Sequence, residues 1–361
     1  MTFLVGIVLV VFLVLVILVI SRVQSVVNLV KSKQPDEQNP HPGNNLNANI
    51  FLVVLILGFI GILWSYLHAS NYFLPEASSV HGRRTDDLFW FSMGILTIAF
   101  VVVNFLIFYF SWKYRFKKGN VATFYPDNHK LEMVWTIIPA IVMATLVFTG
   151  WRAWADITSE APQDAEVIEI VGKQFGWIAR YAGVHDNKLG DYNYKFIDAQ
   201  NELGLDLSDE NSFDDFTNPS VMHIPANKPV LLRIRARDVL HSVFIPHMRV
   251  KMDAVPGMPT KFWFVADKTT EEMRAETGNP DFNYEITCTE ICGSGHFGMK
   301  MQLVVEDEAS YKKWCAEQKT FLQTYPEYVE RVPANLKAKA MKFIPDYQAE
   351  EQVAVADTTS L

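Results

Sequence analysis

Four long apolar runs dominate the first 155 residues. They cover residues 3–20, 50–67, 88–112 and 133–151, and none carries a charge. A bilayer core takes about 20 apolar residues as a helix, because no water there satisfies a bare backbone. Each run therefore predicts a spanning helix, with Pro139 in the fourth tolerated inside a bundle. A buried helix of a large soluble protein would explain one such run but not four in succession. A secretory signal would explain only the first. No Lys or Arg precedes that run and no small-residue cleavage site follows it, so it reads as a true span.

From Ala165 the period changes to two. Residues 167–171, 230–237, 262–266, 284–287 and 301–305 read as short strands. In Leu232-Arg233-Ile234-Arg235-Ala236-Arg237 apolar residues alternate with arginines, which predicts one face in a core and one in solvent. Turn signals separate the runs at Asn227-Lys228-Pro229, Pro256-Gly257 and Gly278-Asn279-Pro280. Several short strands without helical repeats between them predict a sandwich or barrel. The chain thus divides into a membrane region (1–155), a β domain (156–306) and a tail (307–361). The tail reads as helical over 308–325 and polar beyond.

The basic loops set the orientation. Lys113, Arg115, Lys117 and Lys118 follow the third run, and Arg22, Lys31 and Lys33 follow the first. Both loops are expected on the cytoplasmic side by the positive-inside rule. Residues 69–86 and everything after Trp151 are then outside. Arg83-Arg84 breaks the rule mildly and is offset in part by Asp86 and Asp87. Trp64, Tyr66, Trp90, Trp112, Trp135, Trp151 and Trp154 fall near run ends, as interfacial aromatics do.

At 361 residues the chain has room for about two domains, and 50% hydrophobic content excludes a disordered protein. Charge is unevenly spread. Residues 1–155 hold 11 Lys+Arg against 7 Asp+Glu, and the remainder 21 against 33, so +4 and −12 give the net −8. An acidic soluble half makes nucleic acid an unsuitable partner. Residues 183–219 carry much of that charge, including Asp186, Asp191, Asp198, Glu202, Asp206, Asp209, Glu210, Asp214 and Asp215. This stretch reads either as a solvated insertion or as a docking surface for a basic partner. Glu132 opens the fourth run. It reads either as a first-turn acid favoured by the helix dipole or as a carboxylate that admits protons.

The candidate chemistry lies in Cys288-Thr289-Glu290-Ile291-Cys292-Gly293-Ser294-Gly295-His296-Phe297-Gly298-Met299. Two thiols, an imidazole and a thioether within twelve residues suit copper. Gly293, Gly295 and Gly298 permit a tight path. A second imidazole must come from elsewhere, and His241 is the candidate because it follows an alternating strand. His185, His223 and His247 are the other histidines considered. A disulfide, a zinc site or a mononuclear copper would use part of this set. The second cysteine is surplus to a single blue copper, and bridging thiolates would let two copper ions share their charge. Cys315 stands apart and reads as structural; three cysteines are too few for a disulfide framework.

Three stretches resemble subunit II of the haem–copper cytochrome c oxidases. They are Leu131-Glu132-Met133-Val134-Trp135-Thr136-Ile137-Ile138-Pro139-Ala140, Asp238-Val239-Leu240-His241-Ser242 continuing to 251–257, and the 288–299 cluster. The resemblance covers roughly residues 86–315. It implies membrane helices followed by an all-β, cupredoxin-like Greek-key domain holding a dinuclear copper centre, CuA. It implies that Cys288 and Cys292 bridge two coppers, that His241 and His296 each bind one, and that Met299 and the Glu290 carbonyl are weak ligands. It assigns the Glu290 side chain to a magnesium or manganese site shared with subunit I, and Glu132 to the mouth of a proton pathway. It places the domain in the bacterial periplasm beside the inner membrane, with subunits I and III as partners and a c-type cytochrome as donor. The haems and the oxygen site belong to subunit I.

Departures from the family are also visible. In Gly172-Lys173-Gln174-Phe175-Gly176-Trp177, Phe175 stands where the family places its electron-accepting Trp, and Trp177 matches a later aromatic. Two runs precede the family's usual pair of helices, and residues 267–283 exceed its short turn. No Cys-x-x-Cys-His occurs, so no c-type haem is attached to this chain. These features point to a donor held in the membrane, in a supercomplex. The intact ligand set opposes a quinol-oxidase subunit II, and the missing larger domain opposes a nitrous oxide reductase. A membrane-tethered copper carrier or copper-delivery protein is the alternative, against which the Glu132 motif argues.

Overall fold

The computed structural model describes residues 2–32, 43–183, 187–345 and 347; Lys33, His185 and Asp186 lie outside them. The chain forms two compact units, one of residues 1–71 and 95–133, the other of residues 72–94 and 134–361.

The first unit holds helices α1 (Thr2–Ser32) and α2 (Gly43–Ala69) and most of α3 (Val80–Lys113). Helix α4 (His129–Ile157) begins there and continues into the second unit. Among the described residues, three spans are long and apolar enough to cross a membrane: Gly43–Tyr72, Val80–Lys113 and His129–Ile157. Among those residues, α1 contributes the apolar stretch Phe12–Val27. Helix α2 packs on α3 through Phe51 against Phe108 and Phe59 against Phe100, both edge to face. At one end Asn49 Oδ1 accepts from Trp112 Nε1 (3.1 Å), and Asn45 Oδ1 from Arg115 Nε (2.9 Å). Interhelical polar bonds of this kind hold helices together where lipid removes the hydrophobic drive.

The second unit is a β-sandwich. Its strands are β1 (Glu166–Lys173), β2 (Gly176–Tyr181), β3 (Phe216–Asn218), β4 (Val221–Pro225), β5 (Pro229–Ala236), β6 (His241–Ile245), β7 (Val250–Ala254), β8 (Thr260–Val265), β9 (Tyr284–Cys288) and β10 (Lys300–Glu306). One sheet runs β3-β2-β1-β5-β8 and the other β4-β10-β9-β6-β7. β1 pairs parallel with β5, and β4 with β10; the other pairs are antiparallel. Ile168, Ile170, Val230, Leu232 and Ile234 of the first sheet and Met222, Ile224, Ile286, Leu303 and Val305 of the second are buried in one core. The alternation that predicted β5 holds at Arg233, which is exposed. It fails at Arg235, which is buried and paired with Glu169 through Nε at 2.8 Å.

The stretch 183–219 is not the solvated insertion expected. Leu203, Leu205, Leu207 and Phe213 are buried in a second core with Phe321, Leu322, Tyr328, Val329, Val332, Ala340 and Ile344 of the tail. The tail is helical over most of 308–325, as expected, but it is not simply polar beyond, since Tyr328, Val329, Val332, Ala340 and Ile344 are buried. It breaks into α6 (Glu308–Glu317), α7 (Phe321–Thr324) and α8 (Ala334–Ala340), because Thr320 and Gln323 form a new capping box just after α6 ends. The long turn 267–283 holds a further helix (Thr270–Thr277), numbered α5 in chain order. It starts at a Thr269–Glu272 capping box and stops at Gly278, whose φ of +66° favours glycine.

Residues 72–94 belong to the sandwich unit. Ser78 N–H donates to His247 O (2.7 Å), Ser79 Oγ to Met248 O (2.8 Å), and Arg249 grips Asp86 with two bonds of 2.8 Å. Arg83 pairs with Asp267 and Arg84 with Asp156. The offset expected from Asp86 therefore comes from elsewhere, since Asp86 serves Arg249.

Candidate metal centre

Strand pairing builds the site. In the β6–β9 ladder Val243 lies opposite Cys288, and His241, two residues away along β6, shares Val243's face. Cys288 ends its strand, so the chain leaves the sheet with its thiol at the domain's end. The loop returns where Cys288 N–H donates to Met299 O (3.2 Å), and Met299 is buried beneath it. Gly293 has φ +137°, a conformation L side chains rarely adopt, and a Cβ there would lie 2.9 Å from the Phe175 ring.

Donor atoms of His241, Cys288 and Cys292 lie within 4.8 Å of one another, and all three residues are buried. His241 Nδ1 is 3.9 Å from Cys288 Sγ, and His296 Nδ1 is 3.6 Å from Cys292 Sγ. Cys292 Sγ is 3.8 Å from Met299 Sδ, and Cys288 Sγ is 3.2 Å from the Glu290 carbonyl. Metal–ligand bonds of about 2.0 Å to nitrogen and 2.3 Å to sulfur span gaps of this size. The two sulfurs stand 3.9 Å apart and both cysteines are free; a disulfide bond measures about 2.05 Å. Soft thiols and a thioether beside imidazoles form a donor set that fits copper.

Electrostatics prepare the ligands. Asp238 Oδ1 accepts from His241 Nε2 at 2.9 Å, which leaves Nδ1 facing Cys288. Burial opposes the charge of Asp238. The N–H groups of Gln174 and Val239 together with the His241 ring nevertheless hold its carboxyl below its ordinary value. Burial, with Cys288 beside it, pushes the Cys292 thiol up to about 11.

The remaining candidates fall in distinct places. Glu290 is exposed on the loop. Phe175 is 42% exposed and lies on Gly293 and Gly295, whereas Trp177 is 1% exposed, its ring 5.9 Å from that of His241. Glu132 sits in the first turn of α4, where Oε1 accepts from Asn128 N–H (3.3 Å) and Oε2 lies 3.2 Å from His129 Nδ1. His223 stacks on Trp314, and His247 packs against Phe282 and Tyr284, so neither joins the cluster. Sequence reasoning passed over Gln174, whose amide reaches Cys292 O at 2.6 Å. Its only signal was its place in the motif before Phe175.

Comparison with known proteins matches this arrangement. The transmembrane domain of cytochrome C oxidase subunit II matches residues 66–152, and the periplasmic domain of that subunit matches residues 166–307. An alternative cytochrome c oxidase subunit 2 of Bradyrhizobium diazoefficiens is 31% identical over 270 residues, 74% of this chain and 92% of that protein. A cytochrome c oxidase subunit 2 of Synechocystis sp. is 25% identical over 283 residues, 73% of this chain and 82% of that one. Among solved structures, the periplasmic domain of subunit II of cytochrome oxidase of Bradyrhizobium japonicum aligns over 44% of this chain and 95% of its own, at 24% identity and a TM-score of 0.29. On the relative that shares 31% of its residues over nearly its full length, this chain belongs to the cytochrome c oxidase subunit II family.

Proposed function

We propose that this chain accepts electrons for a proton-pumping respiratory oxidase through a dinuclear copper centre. Cys288 and Cys292 would bridge the ions, His241 and His296 would each hold one, and Met299 and the Glu290 carbonyl would be the weak ligands. A CuA centre supplies one-electron transfer from a c-type cytochrome toward haem a of subunit I. The observation that carries this reading is the convergence of two thiols and two imidazoles at 3.6–3.9 Å at the exposed end of the sandwich. The residues divide the remaining work. Phe175 presents an exposed ring to the donor, and Trp177 fills the space behind His241. Asp238 keeps His241 in the tautomer that ligates.

The rest of the assembly follows the same reading. The Glu290 carboxylate faces outward, available to a magnesium or manganese ion shared with subunit I. Glu132 stands at a proton pathway's mouth on the cytoplasmic side. The sandwich is a cupredoxin-like Greek key (156–306), with the acidic insertion and the tail (307–361) applied to it. Helix α1, 31 residues long, is a fourth span. The domain faces the periplasm from the inner membrane, subunits I and III are its neighbours, and the donor is a membrane-held c-type cytochrome. The helical segment ahead of the part matched by the family, which starts at residue 66, and the acidic insertion support that reading of the donor.

The test uses the full chain in detergent, loaded with copper. Two coppers per chain with the unpaired spin shared equally between them are expected in the EPR hyperfine pattern. A single-copper pattern, or no bound copper, overturns the reading. Rapid turnover of the purified oxidase with free cytochrome c, with no partner complex copurifying, overturns the membrane-held donor.

A further inference from the structure

The turn between β1 and β2 touches both halves of the metal cluster, and Gln174 makes both contacts. Its backbone N–H donates to Asp238 Oδ2 at 2.7 Å, and its side-chain Nε2 donates to Cys292 O at 2.6 Å. Asp238 in turn accepts from His241 Nε2. A continuous chain of hydrogen bonds therefore runs His241–Asp238–Gln174–Cys292. It joins His241 to Cys292, 51 positions apart in sequence.

The neighbouring glycines make the approach possible. A Cβ on Gly293 would lie 3.0 Å from Gln174 Nε2, and a Cβ on Gly295 would lie 2.5 Å from Phe175. The metal loop thus lacks side chains where this turn presses on it. Nearby charges are engaged elsewhere. Glu202 pairs with Lys173 and Arg237, and Asp238 is committed to N–H donors.

We propose that Gln174 is a positioning residue that pins the Cys292 end of the metal loop to the His241 segment, setting the separation of the two thiols from the imidazole. The proposal rests on the copper reading for its functional consequence, but the bracket itself is a property of the metal-free chain. A carbonyl fixed by a donated bond cannot swing away, so Cys292 Sγ stays directed at the cluster.

The full-length chain in detergent carries the test, in wild type, Gln174→Leu and Gln174→Glu. Leucine keeps the bulk without the donor, and a carboxylate sets an acceptor against the Cys292 carbonyl. Supporting-residue losses cost about 10–100-fold in metal affinity. Both variants should therefore release copper to a chelator at least about tenfold faster, with an altered EPR hyperfine pattern. In the copper-free chain, maleimide should alkylate Cys292 about tenfold faster, resolved by peptide mass spectrometry. Cys315, remote from the turn, is the internal control and should keep its wild-type rate. Unchanged alkylation of Cys292 overturns the proposal. So does an equal acceleration at Cys315, which would report general loosening. Failure of wild type to bind copper would sink the reading of the site, while the alkylation result still decides the bracket.

Discussion

The sandwich unit buries two polar clusters, and they differ in how their groups are satisfied. The first holds Glu169, Arg180, Asp215 and Arg235. Arg180 pairs with both Asp215 and Glu169, and Arg235 pairs with Glu169 through Nε at 2.8 Å. Arg180 Nη2 also donates to Gly190 O (2.6 Å), and Arg235 Nη2 to Leu203 O (3.1 Å). Two cations face two anions, and the guanidiniums overcome burial to hold Glu169 below its ordinary value. The second cluster holds His241, Cys288, Cys292, His296 and Met299. Its sulfur and nitrogen atoms face one another at 3.6–3.9 Å, too far for strong hydrogen bonds. The first cluster pairs its charges within the fold, leaving Asp215 Oδ1 as its buried atom without a partner. The converging thiols, thioether and imidazoles of the second are instead a donor set that fits a soft metal ion.

The largest expected effect breaks the second cluster. Cys292→Ser removes one of the two thiols of the proposed centre, and the shared-spin EPR signal expected of it should vanish while α2, α3 and α4 stay inserted. Wild-type copper content in that variant would refute the assignment.

The first cluster should respond quite differently. Removing one partner of a buried ion pair leaves an uncompensated charge, at a cost of about 3–5 kcal/mol. Arg180→Met should lower the thermal midpoint of the copper-free chain by that equivalent. Arg180→Met with Asp215→Leu should restore much of the loss, because Glu169 keeps Arg235. A double variant as unstable as the single would show that the cluster does more than balance its own charges.

The same contrast explains what the sequence made legible. Most of the candidate donors cluster along the chain at 288–299, so their spacing marked that segment, while His241 was singled out by the alternating strand before it and the role of each donor rested on the family resemblance. The ion cluster draws on β1, β2, β5 and the insertion, and no short window contains it. β5 was readable because Val230, Leu232 and Ile234 are buried while Arg233 is exposed. β2 was not. Trp177, Ala179 and Tyr181 face the main core, but Ile178 and Arg180 on the other side are buried as well. A strand covered on both faces loses its period-two signature. The same covering explains why Arg235 was misplaced in solvent. Acidity in 183–219 masked its leucines, which find partners only when the tail, more than 100 residues on, folds over them.

A third prediction separates the clusters by pH. Copper must displace thiol protons, and the Cys292 thiol lies near 11 in the copper-free site. Below that value each displaced thiol proton should raise copper affinity about tenfold per pH unit. Competitive chelator titrations between pH 6 and 8 should show this rise. In the Arg180 cluster, burial outweighs the guanidinium and pushes the Asp215 carboxyl up to about 6, so the copper-free melting midpoint should fall slightly as pH rises from 6 and level off above 7, opposite in sign to the copper affinity. A flat copper affinity would mean that the thiols are already ionised and that the site is more electropositive than its neighbours allow.

The smallest effect concerns the seam that covers the ion cluster. Asp198 of the insertion accepts from Tyr328 OH (2.6 Å) and Arg331 Nη1 (2.8 Å) of the tail. The Tyr328 hydroxyl, outweighing slight burial, holds the Asp198 carboxyl below its ordinary value. A carboxylate depressed in the folded state contributes stability above its unfolded pKa, about 4, and loses it as pH falls toward the folded value. Acidification from pH 5 toward 3 should therefore loosen the tail, read as faster hydrogen exchange over residues 326–345 in the copper-free chain. Tyr328→Phe removes one bond to a partly exposed carboxylate, worth about 1 kcal/mol. It should speed that exchange about fivefold at pH 7 and flatten its acid dependence, leaving exchange at 288–299 unchanged. If exchange at the metal loop quickened as well, the two clusters would not be independent and the insertion would be part of the metal site's support.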